Sequence, residues 1–157
     1  MRIRDKIKKP QRPVVAYEIL PPREKDGTLN SYAETISSLL SQTHIDAINI
    51  PEVHDEVARG DRPVANQKRG EPREFGRLLQ DIVGIEAIVN RVVVHHDHDT
   101  QMRWLEETNV EYEIENMIIV GGESSKVEYP GPTVNEALEA ISNIYNNNGG
   151  DIFCGGI

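Results

Sequence analysis

The sequence predicts an α/β fold on a parallel sheet, and three observations carry that expectation. Short apolar runs alternate with amphipathic stretches in the order β-α four times and then β. The runs are nearly continuous in aliphatic residues, as in strands covered on both faces. Each is separated from the next by a helix, the crossover that parallel neighbours need. The 157 residues are enough for one domain with a real core.

The elements follow in order. "PVVAYEIL" (13–20) is rich in β-branched and aliphatic residues, reads as a buried strand and stops at Pro21-Pro22. "NSYAETISSLLSQT" (30–43) puts Tyr32, Ile36, Leu39 and Leu40 on one helical face. "IDAINI" (45–50) is a short apolar strand closed by Pro51. A polar loop follows (51–72), long for a strand-to-helix connection and so of a functional or mobile kind. "REFGRLLQDIVG" (73–84) brings Phe75, Leu78, Leu79 and Ile82 into register and ends at Gly84. "IEAIVNRVVVH" (85–95) is the third strand. "DTQMRWLEETN" (99–109) is the third helix, with Asp99 or Thr100 as its cap. "ENMIIVGG" (115–122) is the fourth strand. "TVNEALEAISNIYNNNGG" (133–150) is the fourth helix, and "DIFCGGI" (151–157) begins a fifth strand. Two architectures fit this order: a five-stranded doubly wound sheet and the first half of an eight-stranded barrel. A chain ending on an apolar strand, with no closing helix, reads as interrupted.

Composition narrows the function. The formal net charge of -9 argues against nucleic acid as a partner, because phosphate binding needs clustered Lys and Arg. Residues 1–12 form the one basic stretch, an N-terminal arm read as a solvated tail, and residues 13–157 form the domain. No apolar run reaches the roughly 20 residues that span a bilayer, so no membrane is expected. The basic N-terminus lacks the apolar stretch of a signal peptide. The single Cys154 rules out an internal disulfide and suits a reducing cytoplasm.

Three stretches carry candidate chemistry. Glu18 sits near the C-terminal end of the first strand, where parallel folds place ligands. It shares a face with Ala16 and Leu20, and partial burial would let it hold a proton near neutral pH. The alternative is a strand-end carboxylate paired with Arg23 or another cation. "VGGESS" (120–125) follows the fourth strand, and its two glycines permit close backbone approach; the alternative is a tight turn. "HHDHD" (95–99) offers His96 and His98 to zinc or iron, but with no further ligand set a polar loop before a capped helix is the better reading. "RGD" (59–61) is a chance occurrence in the long loop.

"VAYEILPPR" resembles the opening strand of the methylenetetrahydrofolate reductases, and "DAINIPEV", the strand leading to "GGE" and "YPGPTVNEAL" fall in that family's order. The resemblance covers nearly the whole chain, and Glu18-x-x-Pro21-Pro22-Arg23 is its most specific part. It implies a (β/α)8 TIM barrel, of which the chain holds the first four βα units plus strand five. It implies FAD, a folate or related C1-pterin reduced from methylene to methyl, and a reduced nicotinamide or other electron donor. That is one-carbon metabolism, on the way to methionine. Glu18 matches the family's proton donor, and Glu123 keeps the carboxylate beside flavin and pterin.

The departures are specific. Gly121-Gly122-Glu123 stands where the family has Arg-Gly-Asp, so a cationic contact to the cofactor is lost. Pro51 replaces a flavin-contacting Thr, Arg91 falls near a His, and Tyr129 matches a Tyr before the fourth helix. The cofactor is thus expected at Pro51, Arg91, Gly121, Gly122 and Tyr129. A half-barrel leaves strand edges unpaired. The isolated chain is therefore expected to be inactive, and to form a homo-oligomer or join a partner chain. Two other functions remain open: a metal-dependent hydrolase using His96 and His98, and a non-catalytic subunit.

Overall fold

The structure is a computed structural model, and it describes residues 2–53, 68–122, 126–148 and 152–157. Most of the long polar loop, its RGD triplet and Glu123 lie outside the described residues. The elements are α1 (Ile3–Lys8), β1 (Ala16–Glu18), α2 (Leu29–Leu40), β2 (Ala47–Ile50), α3 (Pro72–Val83), β3 (Ala87–Val92), α4 (His98–Val110), β4 (Asn116–Val120), α5 (Val134–Asn148) and β5 (Phe153–Gly156).

The five strands form one sheet in the order β1-β2-β3-β4-β5, and every pairing is parallel. This corrects the TIM-barrel expectation. Closure requires the first strand to bond with the last, yet among the described residues β1 pairs only with β2 and β5 only with β4. The doubly wound alternative also fails, since the strand order never reverses. Apolar runs separated by helices specify parallel neighbours; they do not specify whether a sheet closes.

Register assigns each strand residue to a face. Ile48 lies beside Ala87, Ile50 beside Val89, Val89 beside Met117 and Arg91 beside Ile119. All seven are buried, and the apolar ones pack against Ala33 and Leu40 of α2, Phe75 and Leu79 of α3, Trp104 and Leu105 of α4, and Ala137 and Ile141 of α5. The opposite face carries Glu18, Ala47, Asn49, Ile88, Asn90, Asn116, Ile118 and Phe153; Glu18 is exposed, Ala47 and Asn116 are buried, and the rest are half-buried. So the larger helices cover one face and leave the other open.

The final glycines show the same division. A Cβ on Gly156 would fall 2.6 Å from a Val134 methyl of α5, whereas one on Gly155 would meet nothing within 4 Å. Gly156 lets α5 settle onto the sheet, and Gly155 faces open space.

Local chemistry fixes the helix ends. Thr28 accepts the Ser31 amide ahead of α2, and Glu71 accepts the Glu74 amide ahead of Pro72 in α3. Gly84 ends α3 in the left-handed region at φ 69, where Gly is the easy residue. Thr133 and Glu136 form a reciprocal capping box on α5.

Four expectations shift. β1, read as buried, is an exposed edge strand. Leu39 and Ile82 keep their helical register but lie outside the core, at 60% and 46% exposure. The cap of α4 is Asp97, which accepts the Thr100 amide. The basic arm is not a solvated tail: it folds as α1, buries Ile3, and is tied down by Lys6 and Arg12 on Asp46. Among the described residues no helix is long and apolar enough to cross a membrane.

Candidate functional site

Parallel strands end together, so residues near their C-termini converge across the sheet. On the open face this row holds Glu18, Asn49 and Asn90. Glu18 lies directly beside Asn49 in register, and the Asn49 amide Nδ2 donates to Glu18 Oε2 at 3.2 Å. Asn90 stands one strand further over, and two residues beyond the partner of Asn49 on the same face. The Oδ1 atoms of both asparagines are shut from solvent and meet no donor among the described residues. Buried acceptors without partners are uncommon, since each forgoes a hydrogen bond it had in water.

Glu18 is exposed, so the partial burial on which its proton-donor role was argued is absent. As a carboxylate with one amide already on Oε2, it is an acceptor set out on an open surface.

The opposite face is closed by cations. Arg91 is buried there, and its guanidinium donates to Glu52 and to Gln101 at 2.8 Å. Its carbon lies 4.5 Å from the centre of the Trp104 ring, and that of Arg73 lies 4.6 Å from the same ring. Arg73 also bonds Glu71 at 2.8 Å and Glu107 at 3.2 Å. Cation–π contact and charge-assisted bonds together repay the burial of both cations. Burial pushes the Arg91 pKa down, with Glu52 opposing it. This network floors a cleft of about 790 Å³ at the C-terminal ends of β2 and β3, lined also by Pro51 and His96.

After β4, a Cβ on Gly122 would fall 2.2 Å from the Tyr129 ring, so that ring occupies the space beside the glycine. Tyr129 meets His95 edge to face at 5.8 Å. Gly131 is required: a Cβ there would sit 2.3 Å from the Val93 carbonyl oxygen. It presses the "YPGPT" loop onto the turn after β3. Gly121 donates its amide to Ile157 O at 3.2 Å and packs near Val134.

Of the residues expected to hold FAD, Pro51 and Arg91 line the same cleft, with Arg91 bonded to Glu52 and Gln101 there, while Gly121 and Gly122 follow β4 and Tyr129 fills the space beside Gly122. The histidines after β3 also separate. His95 packs on Tyr129, His96 lines the cleft and His98 sits 3.7 Å from Asp99 on the surface. Among the described residues no group of three His, Cys, Asp or Glu is placed to hold a metal ion.

Asn49, Asn90 and Glu52 were not anticipated. The asparagines had a signal, as single carboxamides inside apolar strands, "AINI" and "AIVNRV", where β-propensity disfavours them.

No family model matches the chain, and no curated protein matches it. Among solved structures it is similar to a Clostridium thermocellum protein described as uncharacterized and as binding two copies of 5-methyl-5,6,7,8-tetrahydrofolic acid. The identity is 16% and the TM-score 0.70, over 98% of this chain and 47% of that one. The likeness is one of fold, and the chain spans about half the length of that structure.

Proposed function

We propose that this protein binds a one-carbon-bearing folate on the open face of its sheet, at the C-terminal ends of β1 to β3. The observation that carries the reading is the Glu18–Asn49–Asn90 row: a carboxylate and two carboxamides with acceptors to spare, on a stretch of the sheet that no helix covers among the described residues. A pterin edge offers adjacent ring and amino N–H groups, which a carboxylate accepts in pairs. The fold shared with a structure that holds methyltetrahydrofolate supports the same ligand class. The reading is confined to binding, because what the open-face row supplies is hydrogen-bond acceptors.

Calorimetric titration with 5-methyltetrahydrofolate tests it. Saturable binding is expected, and Glu18→Gln should weaken it roughly ten- to a hundredfold, the worth of a hydrogen bond to a charged acceptor. The variant's circular dichroism should be unchanged, since Glu18 is exposed. Absence of binding to the wild-type chain, or equal binding by the variant, overturns the reading.

A further inference from the structure

We infer that Asn90 makes this site selective for pterins carrying a hydrogen on ring nitrogen N8, that is, for dihydro and tetrahydro forms over the fully oxidised ring. The inference rests on the folate reading above and adds a specificity residue to it.

The argument begins with what each acceptor on the row already does. Glu18 is steadied by Asn49 Nδ2, leaving its second oxygen and remaining lone pairs without a donor among the described residues. Asn90 makes no side-chain hydrogen bond among the described residues, and its Oδ1 is buried without a donor. A carboxamide offers a donor and an acceptor side by side. Its ideal partner is an acceptor and a donor side by side, the pairing by which Asn reads the edge of adenine. The torsion that orients the amide is loose, so a modest turn presents both atoms to the open face.

A pterin has such an edge. Going round it, the ring N–H at N3 and the 2-amino group come first, then N1, a bare acceptor, then N8. In the reduced rings N8 carries hydrogen. N1 and N8–H then form an acceptor–donor pair matching Asn90 Nδ2 and Oδ1, while N3–H and the 2-amino group match the Glu18 carboxylate. In the fully oxidised ring N8 is a second bare acceptor, and it would face Oδ1 lone pair to lone pair. The spacing suits this division: Asn90 stands two strands over from Glu18 and two residues further along, roughly 12 Å between backbones, which the ring and two hydrogen bonds span.

The test titrates the wild-type chain with 5-methyltetrahydrofolate, 7,8-dihydrofolate and folic acid, which share a tail and differ in the ring. Folic acid should bind about tenfold or more weakly than dihydrofolate, because a desolvated acceptor is left facing another. Asn90→Leu, near in shape, should bring the two to parity by weakening dihydrofolate. Asn90→Asp, which keeps an acceptor at the same place, should keep the preference for reduced rings. Equal affinity of the wild type for folic acid and dihydrofolate overturns the inference while leaving folate binding standing. A preference that survives in Asn90→Leu does the same. Failure of all three ligands to bind overturns the folate reading itself, and the inference with it.

Discussion

The helix face and the open face of this sheet are made by the same strands, one residue out of phase. Ile48, Ile50, Ala87, Val89, Met117 and Ile119 lie on the first and are almost wholly buried. On the second, Asn49 follows Ile48, and Asn90 follows Val89. Even the charged residues divide. Arg91, on the helix face, is bonded to Glu52 and Gln101 and stacked on Trp104. Glu18, on the open face, has one hydrogen-bond partner among the described residues, Asn49. What the difference teaches is where stability and recognition reside. Among the described residues, the covered face packs its apolar side chains and pairs the Arg91 guanidinium it buries, so it holds the fold. The open face leaves acceptors unmatched, so it has bonding capacity to give to something else.

The comparison breaks most readily at the covered face. Phe75 is fully buried under α2 and stacks on Tyr32 at 5.7 Å. Phe75→Ala removes its contacts and leaves a cavity, which should cost about 3–5 kcal/mol. That corresponds to a melting point lower by roughly 2–4 °C for each kcal/mol in a chain of this size. Urea and thermal unfolding would both read it. A loss under about 1 kcal/mol would show that α2 and α3 do not form a packed core on this face.

The terminal glycines sharpen the contrast within one strand. Gly156→Ala drives a methyl to within 2.6 Å of Val134 and 3.0 Å of Leu138. Overpacking of this kind should cost about 1–3 kcal/mol. Gly155→Ala has nothing within 4 Å to strike, and it removes freedom from the unfolded chain, so it should be neutral or stabilise by up to about 1 kcal/mol. The pair is compared by thermal melts side by side. Equal costs would mean that something covers the open face at β5.

Much of this was legible in the sequence because burial leaves a period. The run 73–84 put Phe75 and Leu79 inward and stopped at Gly84, and the structure agrees to within a residue. What periodicity cannot carry is the sheet's closure and the cover on each face. "AYE" reads like a central strand, because an edge strand of a sheet open on one side has the same residues. Strand order arises from contacts between segments far apart in sequence, and no local pattern records it. The carboxylate at Glu18 stood out as a charge in an apolar run. Asn49 and Asn90 were weaker signals, since a neutral amide in a strand is ordinary until its register puts it beside Glu18. Glu52 gave no signal at all: one Glu in a polar loop is unremarkable until Arg91 is found buried against it.

The smallest expected effect compares two polar residues three apart at β2, Asp46 and Asn49. Asp46 is buried and fully engaged. It accepts the Val15 amide at 2.9 Å, Arg12 at 2.7 and 2.9 Å, and Lys6 at 2.9 Å. The Val15 amide foremost, then Lys6 and Arg12, hold its pKa down to about 2. An unfolded Asp titrates near 3.9. The folded carboxyl is thus the stronger acid, and ionisation favours the folded chain. That stabilisation is complete above about pH 4 and is lost as pH falls towards 2. Asp46→Asn keeps an acceptor for Val15 but loses the charge that draws in Lys6 and Arg12. It should melt below the wild type at pH 7, by less than Gly156→Ala does, and the gap should narrow as pH falls from 4 to 2. Asn49→Leu should show no such pH dependence, because the open face uses no ionised partner of Asn49 to hold the fold. A constant gap for Asp46→Asn between pH 7 and pH 2 would detach the N-terminal helix from Asp46. A pH-dependent gap for Asn49→Leu would make Glu18 a structural anchor after all, and the open face a second load on stability rather than a surface held for a ligand.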